Sequence, residues 1–178
     1  MLSIHADAPT APENQHFIVT FLLAQQTYAL PIEAVVEIVE ISSVIPTPGV
    51  NGSVTGTIDL GGALIPAVDL RAHLGLPEVG LKPQTPVLLV EVGERTVGLI
   101  VDRVTAVLDL TTERRVKPDE MYPGAVIHTS RGNALLLDLI HLFSPNQIST
   151  LARTTELLPT ANDPLGLGAS AMWSHVND

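Results

Sequence analysis

Cysteine is absent from this 178-residue chain, aromatic residues are limited to one Trp, two Tyr and three Phe, and nine basic residues face nineteen acidic ones. The missing thiols exclude disulfides, cysteine nucleophiles, thiolate zinc sites and iron–sulfur clusters. With so few aromatics, the 46% of hydrophobic residues is mostly Val, Ile, Leu and Ala, a composition that favours strands over helices. A net charge of −10 argues against nucleic acid as a partner, because phosphate backbones are held by clustered Lys and Arg. The densest basic group is only Arg114, Arg115 and Lys117. An anionic membrane surface is an equally poor match. No apolar run approaches the roughly 18 residues that span a bilayer. Residues 1–15 lack a basic start followed by an apolar stretch, so no signal peptide is expected. These absences together lead us to expect a soluble cytoplasmic protein that is not inserted in a membrane.

What is present is a series of short β-forming runs. Residues 1–15, with Pro9 and Pro12, read as a flexible tail. Strands are expected at 17–23, 27–32 and 35–41, with a helical turn at Glu33 and Ala34. Residues 56–60 and 63–68 read as a hairpin across Gly61-Gly62. Asp69 is the expected N-cap of a short helix stopped by Gly75. After a proline-rich crossover, 76–85, the pattern restarts with strands at 87–92, 96–101, 104–110 and 134–139. A helix is expected at 151–158, within a C-terminal helix and tail at 146–178.

An offset of 69 residues lays 17–38 on 86–107 without a gap. Thr27 meets Thr96, Leu30 meets Leu99 and Val35 meets Val104, while the turn at 24–26 falls on the turn at 93–95. The same offset puts Asp69-Leu70 on Asp138-Leu139. This repeat implies two similar β lobes, at about 17–75 and 86–143, each with about five short strands. A core of that size is marginal alone, so the lobes should pack on each other.

Catalytic chemistry finds no support. The six histidines are scattered, with no second ligand at helix or strand spacing, and His73 and His141 read as helix-end or surface residues. Gly61-Gly62 lacks the Lys-Ser/Thr ending of a phosphate loop. Glu33, Asp69, Asp102 and Asp138 are the candidate carboxylates. A hydrolase would pair Glu33 with Asp102, or Asp69 with Asp138, but their repetition across both lobes fits helix capping and pairing with Arg71 or Arg103. No catalytic residue, metal site or cofactor is expected.

Three segments carry a family resemblance. Residues 56–71 (GTIDLGGALIPAVDLR) resemble the signature of CheW-type coupling proteins. Residues 28–38 (YALPIEAVVEI) are similar to that family's second and third strands, and 97–110 (VGLIVDRVTAVLDL) to its second-lobe signature. The resemblance covers about 16–145. It implies a mainly β fold, with two five-stranded SH3-like barrels sharing a hydrophobic core and a few short helices. It also implies a non-catalytic adaptor whose partners are the regulatory domain of a CheA-type histidine kinase and the cytoplasmic tip of methyl-accepting receptors.

Carried over position by position, Val35 and Glu37 fall where the family contacts the kinase. Val36, on the other strand face, is expected in the core. The family commonly reads Asn-Leu-Arg-Gly where this chain has Asp59, Leu60, Gly61 and Gly62. That arginine is associated with receptor and kinase coupling, so Asp59 and Gly61 join the partner-binding candidates. The departure suggests a divergent adaptor with a non-standard receptor or only a kinase partner, as in arrays for twitching motility or phototaxis. The alternatives are a small-molecule-binding β barrel and an uncharacterised scaffold.

Overall fold

The run FIVTFLL forms β1 (Phe17–Leu23), and a two-residue turn at Ala24 and Gln25 returns the chain as β2 (Gln26–Pro31). Both turn residues have positive φ, 46° and 72°, as a tight hairpin between right-twisted strands requires. Described here, in a computed structural model, are residues 17–47, 53–109, 114–116 and 124–156. A 3₁₀ turn at Ile32–Ala34 leads into β3 (Val35–Ile41). The hairpin of β4 (Val54–Leu60) and β5 (Ala63–Asp69) follows. Asp69 then caps α1 (Leu70–His73), its carboxylate accepting from the Arg71 N–H at 2.8 Å.

The second half repeats the first. Here β6 (Thr85–Val92), β7 (Arg95–Ile100) and β8 (Arg103–Asp109) are followed by β9 (Arg114–Val116), β10 (Val126–Thr129) and β11 (Gly132–Leu136). Asp138 caps α2 (Leu139–Leu142) as Asp69 caps α1. Thus β2, β5 and α1 begin 69 residues before β7, β11 and α2. The expected strand at 134–139 ends at Leu136, because Asp138 starts the helix instead.

Strand pairing crosses the boundary that the repeat suggests between the two halves. One sheet runs β8-β1-β2-β11-β10-β9 and the other β3-β6-β7-β5-β4. The leading hairpin of each half therefore sits in the sheet of the other half, with β1 on β8 and β6 on β3. The 3₁₀ turn after β2, and its counterpart at Val101-Asp102, carry the chain across. The short β9 adds a sixth strand to one sheet.

Because the hairpins are exchanged, one core serves both sheets. Val19, Phe21 and Leu30 from the six-stranded sheet meet Val68, Leu88 and Leu99 from the five-stranded sheet in a single buried cluster. Each such fully buried side chain contributes about 1.5–3 kcal/mol relative to exposure. Smaller clusters fill each sheet separately, around Ile58 and Val87 on one side and Ile18 and Ile127 on the other. A backbone bridge between Ile45 and Thr57, at 2.7 and 2.8 Å, links the segment after β3 to β4 and draws the five-stranded sheet toward closure.

The chain ends its described course in α3 (Pro145–Glu156), which begins six residues before the expected helix. Its start carries a signal in the sequence. Ser144 N–H donates to Gln147 Oε1 at 2.8 Å, and Gln147 N–H reaches Ser144 Oγ at 3.3 Å, a reciprocal cap ahead of a proline at the first helical position. Leu151 seats the helix in the shared core. No helix among the described residues is long and apolar enough to cross a membrane. The expected tails at 1–15 and beyond 156 lie outside the described residues.

Candidate partner-binding surface

The strand carrying Val35 and Glu37 lies, among the described residues, at one edge of the five-stranded sheet. Its pairing with β6 shifts register between Val35 and Glu37, so Val35 opposes Val90 and Glu37 opposes Leu89, with Val36 as the extra residue. This bulge corrects the expectation of a buried Val36. Strict alternation would send Val36 inward, but an inserted residue breaks the period of two and turns the strand outward locally. Val36 is 57% exposed and Ile38 44%, on either side of an exposed Glu37. Val35 is only half-buried. An edge strand showing apolar side chains beside open backbone groups is a template for association.

Asp59 and Gly61 lie elsewhere, at the tip of the β4–β5 hairpin on the opposite edge of the same sheet. Asp59 Oδ1 accepts from the Gly62 N–H at 2.7 Å, which fixes the turn. Gly61 adopts φ +64°, and a Cβ built there meets nothing within 4 Å. The four candidate residues therefore lie at two separate places on one lobe. The exposed pair Val36 and Ile38 was missed from the sequence, since a bulge has no local signature in an unbroken apolar run.

The carboxylates settle into structural roles. Asp69 and Asp138 cap helices, as expected. Asp102 holds Arg71 at 2.6 Å from Oδ1 to Nε, and its Oδ2 accepts from the Ala24 N–H at 2.9 Å. One side chain thus joins α1, the β7–β8 turn and the exchanged β1–β2 turn. Burial pushes the Asp102 carboxyl up, but the Arg71 hydrogen bond, the Ala24 N–H and the charges of Arg71 and Lys82 together outweigh it. The carboxyl is held below the ordinary carboxylate range. Asp138 is likewise lowered, chiefly by the hydrogen bond from His141 at 2.8 Å. Glu33 is exposed on the 3₁₀ turn.

A test follows from the Asp102 link. Its pKa is lower in the folded chain than in the unfolded one, so the link contributes fully above the unfolded value of about 4 and is lost as pH falls through the folded value. Asp102→Asn should lower unfolding free energy near neutrality by about 1 kcal/mol, since the pair is partly open to solvent. Urea midpoints of the two proteins should converge in acid below that range. A constant gap down to pH 2 would contradict this.

His73 bridges the halves. Its Nε2 lies 2.7 Å from the Leu142 carbonyl and its Nδ1 2.8 Å from Ser53 Oγ, with the ring against Phe143. It is a half-buried link between the two short helices rather than a ligand. Among the described residues no group of three His, Asp or Glu side chains is placed to hold a metal ion.

This double-sheet arrangement has known counterparts. A family model described as CheW-like domain matches residues 18–147. The chemotaxis protein CheW of Treponema pallidum is 28% identical over 160 residues, covering 83% of this chain and 94% of that protein. That of Klebsiella aerogenes is 32% identical over 101 residues, covering 57% of this chain and 60% of that protein. The crystal structure of scaffolding protein TtCheW from Thermoanaerobacter tengcongensis superposes with a TM-score of 0.65 at 28% identity, covering 75% of this chain and 95% of that one. The fold is accordingly the mainly β, SH3-like double barrel, and the chain belongs to the CheW-like domain family, the non-catalytic coupling adaptors of chemotaxis signalling.

Proposed function

We propose that residues 16–145 act as one adaptor unit that binds the regulatory domain of a CheA-type histidine kinase through the β3 edge, with Val35 and Glu37 in the contact. The observation carrying this reading is the bulged edge strand, which presents Val36, Glu37 and Ile38 outward together. Apolar side chains beside a carboxylate supply both buried area and charge selectivity to a protein partner. The second contact, to the cytoplasmic tip of a methyl-accepting receptor, involves the hairpin tip at Asp59 and Gly61. Glycine offers no side chain there, and Asp59 adds negative charge, so the surface is complementary to a different receptor from one that meets an arginine. A divergent array, such as one for twitching motility or phototaxis, fits that surface.

Calorimetric titration against the regulatory domains of the organism's own CheA-type kinases tests the first contact. Micromolar binding is expected. Failure to bind any of them would remove the kinase from the reading. The hairpin site is tested with Gly61→Arg, which has open space but a left-handed backbone that costs about 1 kcal/mol for a non-glycine residue. Receptor-tip affinity should change at least severalfold while kinase affinity stays put. Unchanged binding to both partners would detach Gly61 from partner choice.

A further inference from the structure

Arg71 pairs with Asp102, but Arg103, the other arginine expected to hold a carboxylate, does not. Among the described residues the Arg103 guanidinium meets no carboxylate and donates no hydrogen bond, and the same holds for Arg131. Both residues are exposed, and both line one cavity of about 220 Å³ in the six-stranded sheet. Strand pairing brings them together. Leu22 on β1 has Arg103 of β8 on one side and Thr27 of β2 on the other. Beyond β2 comes β11, whose hairpin with β10 carries Arg131 at its tip. Leu108 lines the cavity and also packs on the cluster of Ile18, Ala29 and Ile127, so the cavity is a mouth opening onto that small core.

The mouth is walled by threonines whose hydroxyls are already satisfied. Thr20, only 2% exposed, donates from Oγ1 to the Ala106 carbonyl at 3.1 Å, and Thr105 Oγ1 donates to the Thr20 carbonyl at 2.9 Å. Thr129 Oγ1 donates to the Gly132 carbonyl at 2.7 Å. Among the described residues the hydroxyl of half-buried Thr27 has no partner and is free to donate into the cavity.

The internal repeat shows that the fold does not require this lining. At the 69-residue offset Thr20, Thr105 and Thr129 fall on Leu89, Val36 and Leu60, while Arg103 and Arg131 fall on Ala34 and Gly62. Leu22 falls on Glu91, so the first lobe has no cation at these positions and one carboxylate. An equivalent hairpin and an equivalent bulged strand form there without either arginine. The polar mouth is a property of the second lobe alone.

We propose that this mouth binds a phosphate group, free or as a small phosphomonoester, with Arg103 and Arg131 clamping its oxygens and Thr27 as a third donor. Two guanidinium forks match the charge and the several oxygens of a phosphate dianion, where a single carboxylate would leave one fork unused. The cavity is smaller than the roughly 300 Å³ at which pockets for drug-sized ligands begin, so it suits the phosphate group and not a whole nucleotide. Threonine walls favour a charged occupant, because leucines at those positions would strip water from it without compensation. The chain's net charge of −10 opposes any anion at long range. At physiological salt that field is screened beyond about 8 Å, and no carboxylate lines the cavity itself.

The test is a titration of the isotope-enriched full chain with inorganic phosphate, with sodium chloride holding the ionic strength constant. Saturating shifts should appear at the amides of Thr27, Arg103–Thr105 and Thr129–Gly132, and at the Nε–H signals of Arg103 and Arg131. Arg103→Gln and Arg131→Gln should each weaken binding about tenfold or more, as loss of a charge-assisted hydrogen bond does. Arg153→Gln makes the same change in net charge on exposed α3 and should leave the affinity unchanged. A second titration with O-phosphoserine identifies the source: tighter binding than inorganic phosphate marks an esterified phosphate as the ligand, and weaker binding marks the free ion. Shifts that grow without saturating would overturn the proposal, as would equal weakening by Arg153→Gln. A glutamate-rich peptide that saturates the same amides where phosphate does not would also overturn it, and would assign the mouth to an acidic protein segment.

Discussion

Gly56→Ala is expected to lower the unfolding free energy by about 3–5 kcal/mol, the range reserved for strained or clashing substitutions. Gly56 sits at the register shift where β4 meets β5, with φ +152°. A Cβ there would lie 2.2 Å from the Ile45 carbonyl oxygen and 2.8 Å from Val44 Cγ1. The carbonyl cannot simply retreat. It accepts the Thr57 N–H at 2.8 Å in the bridge between the segment after β3 and β4. Moving it would leave the N–H of a fully buried Thr57 unpaired, which itself costs about 1–3 kcal/mol. Backbone strain and a broken bridge therefore act together. Urea denaturation should show the loss as a lower midpoint with little change in slope. Gly61→Ala is the control: its φ is also positive but its surroundings are empty, and it should cost about 1 kcal/mol. Equal costs at both glycines would mean that backbone conformation alone, and not the closure of the sheet, explains the sensitivity.

The same two glycines show what a sequence can and cannot reveal. Gly61-Gly62 between alternating apolar residues marks a hairpin locally, and the hairpin is there. Gly56 gives no such local reason, because its constraint comes from Ile45, eleven residues earlier. The repeat was legible for a related reason: paired turns and helix caps recur at a fixed offset wherever the chain must reverse twice. Asp69 and Asp138 were readable as caps because capping is decided within one turn of helix. The exchange of β1–β2 with β6–β7 was not legible, since an apolar strand does not specify which of two similar edges it joins. That choice rests on the direction taken by a three-residue turn. The N-terminal cap of α3 was written in Ser144-Pro145-Asn146-Gln147, but the helix it opens has too few apolar residues to stand out by period. At the candidate surface, Glu37 was placed correctly on its strand. The bulge that exposes Val36 arises from pairing with β6 and so could not be read from β3 alone.

That bulge sets the expected result at Glu37. Because three consecutive side chains face solvent, Glu37→Arg changes the surface without touching the core, and stability should stay within about 0.5 kcal/mol of the wild type. Binding to the kinase regulatory domain should nevertheless weaken tenfold or more, equivalent to about 1.4 kcal/mol. Two effects add in the same direction. A carboxylate matched to a basic group on the partner becomes a repelling cation, and its desolvation beside Val36 and Ile38 no longer has an opposing charge. The chain's net charge of −10 allows a trivial explanation, in which any loss of negative charge slows the approach of a basic partner. Glu78→Arg separates the two readings. Glu78 is exposed on the crossover, and its reversal makes the same change in net charge. If the β3 edge is the contact, Glu37→Arg should raise the dissociation rate, while Glu78→Arg should alter only association, and only at low salt. Ile38→Asp should weaken binding as much as Glu37→Arg, because it charges the apolar half of the same edge. Equal, salt-sensitive losses from Glu37→Arg and Glu78→Arg, with Ile38→Asp neutral, would show that the partner reads the overall acidic field and docks somewhere other than β3.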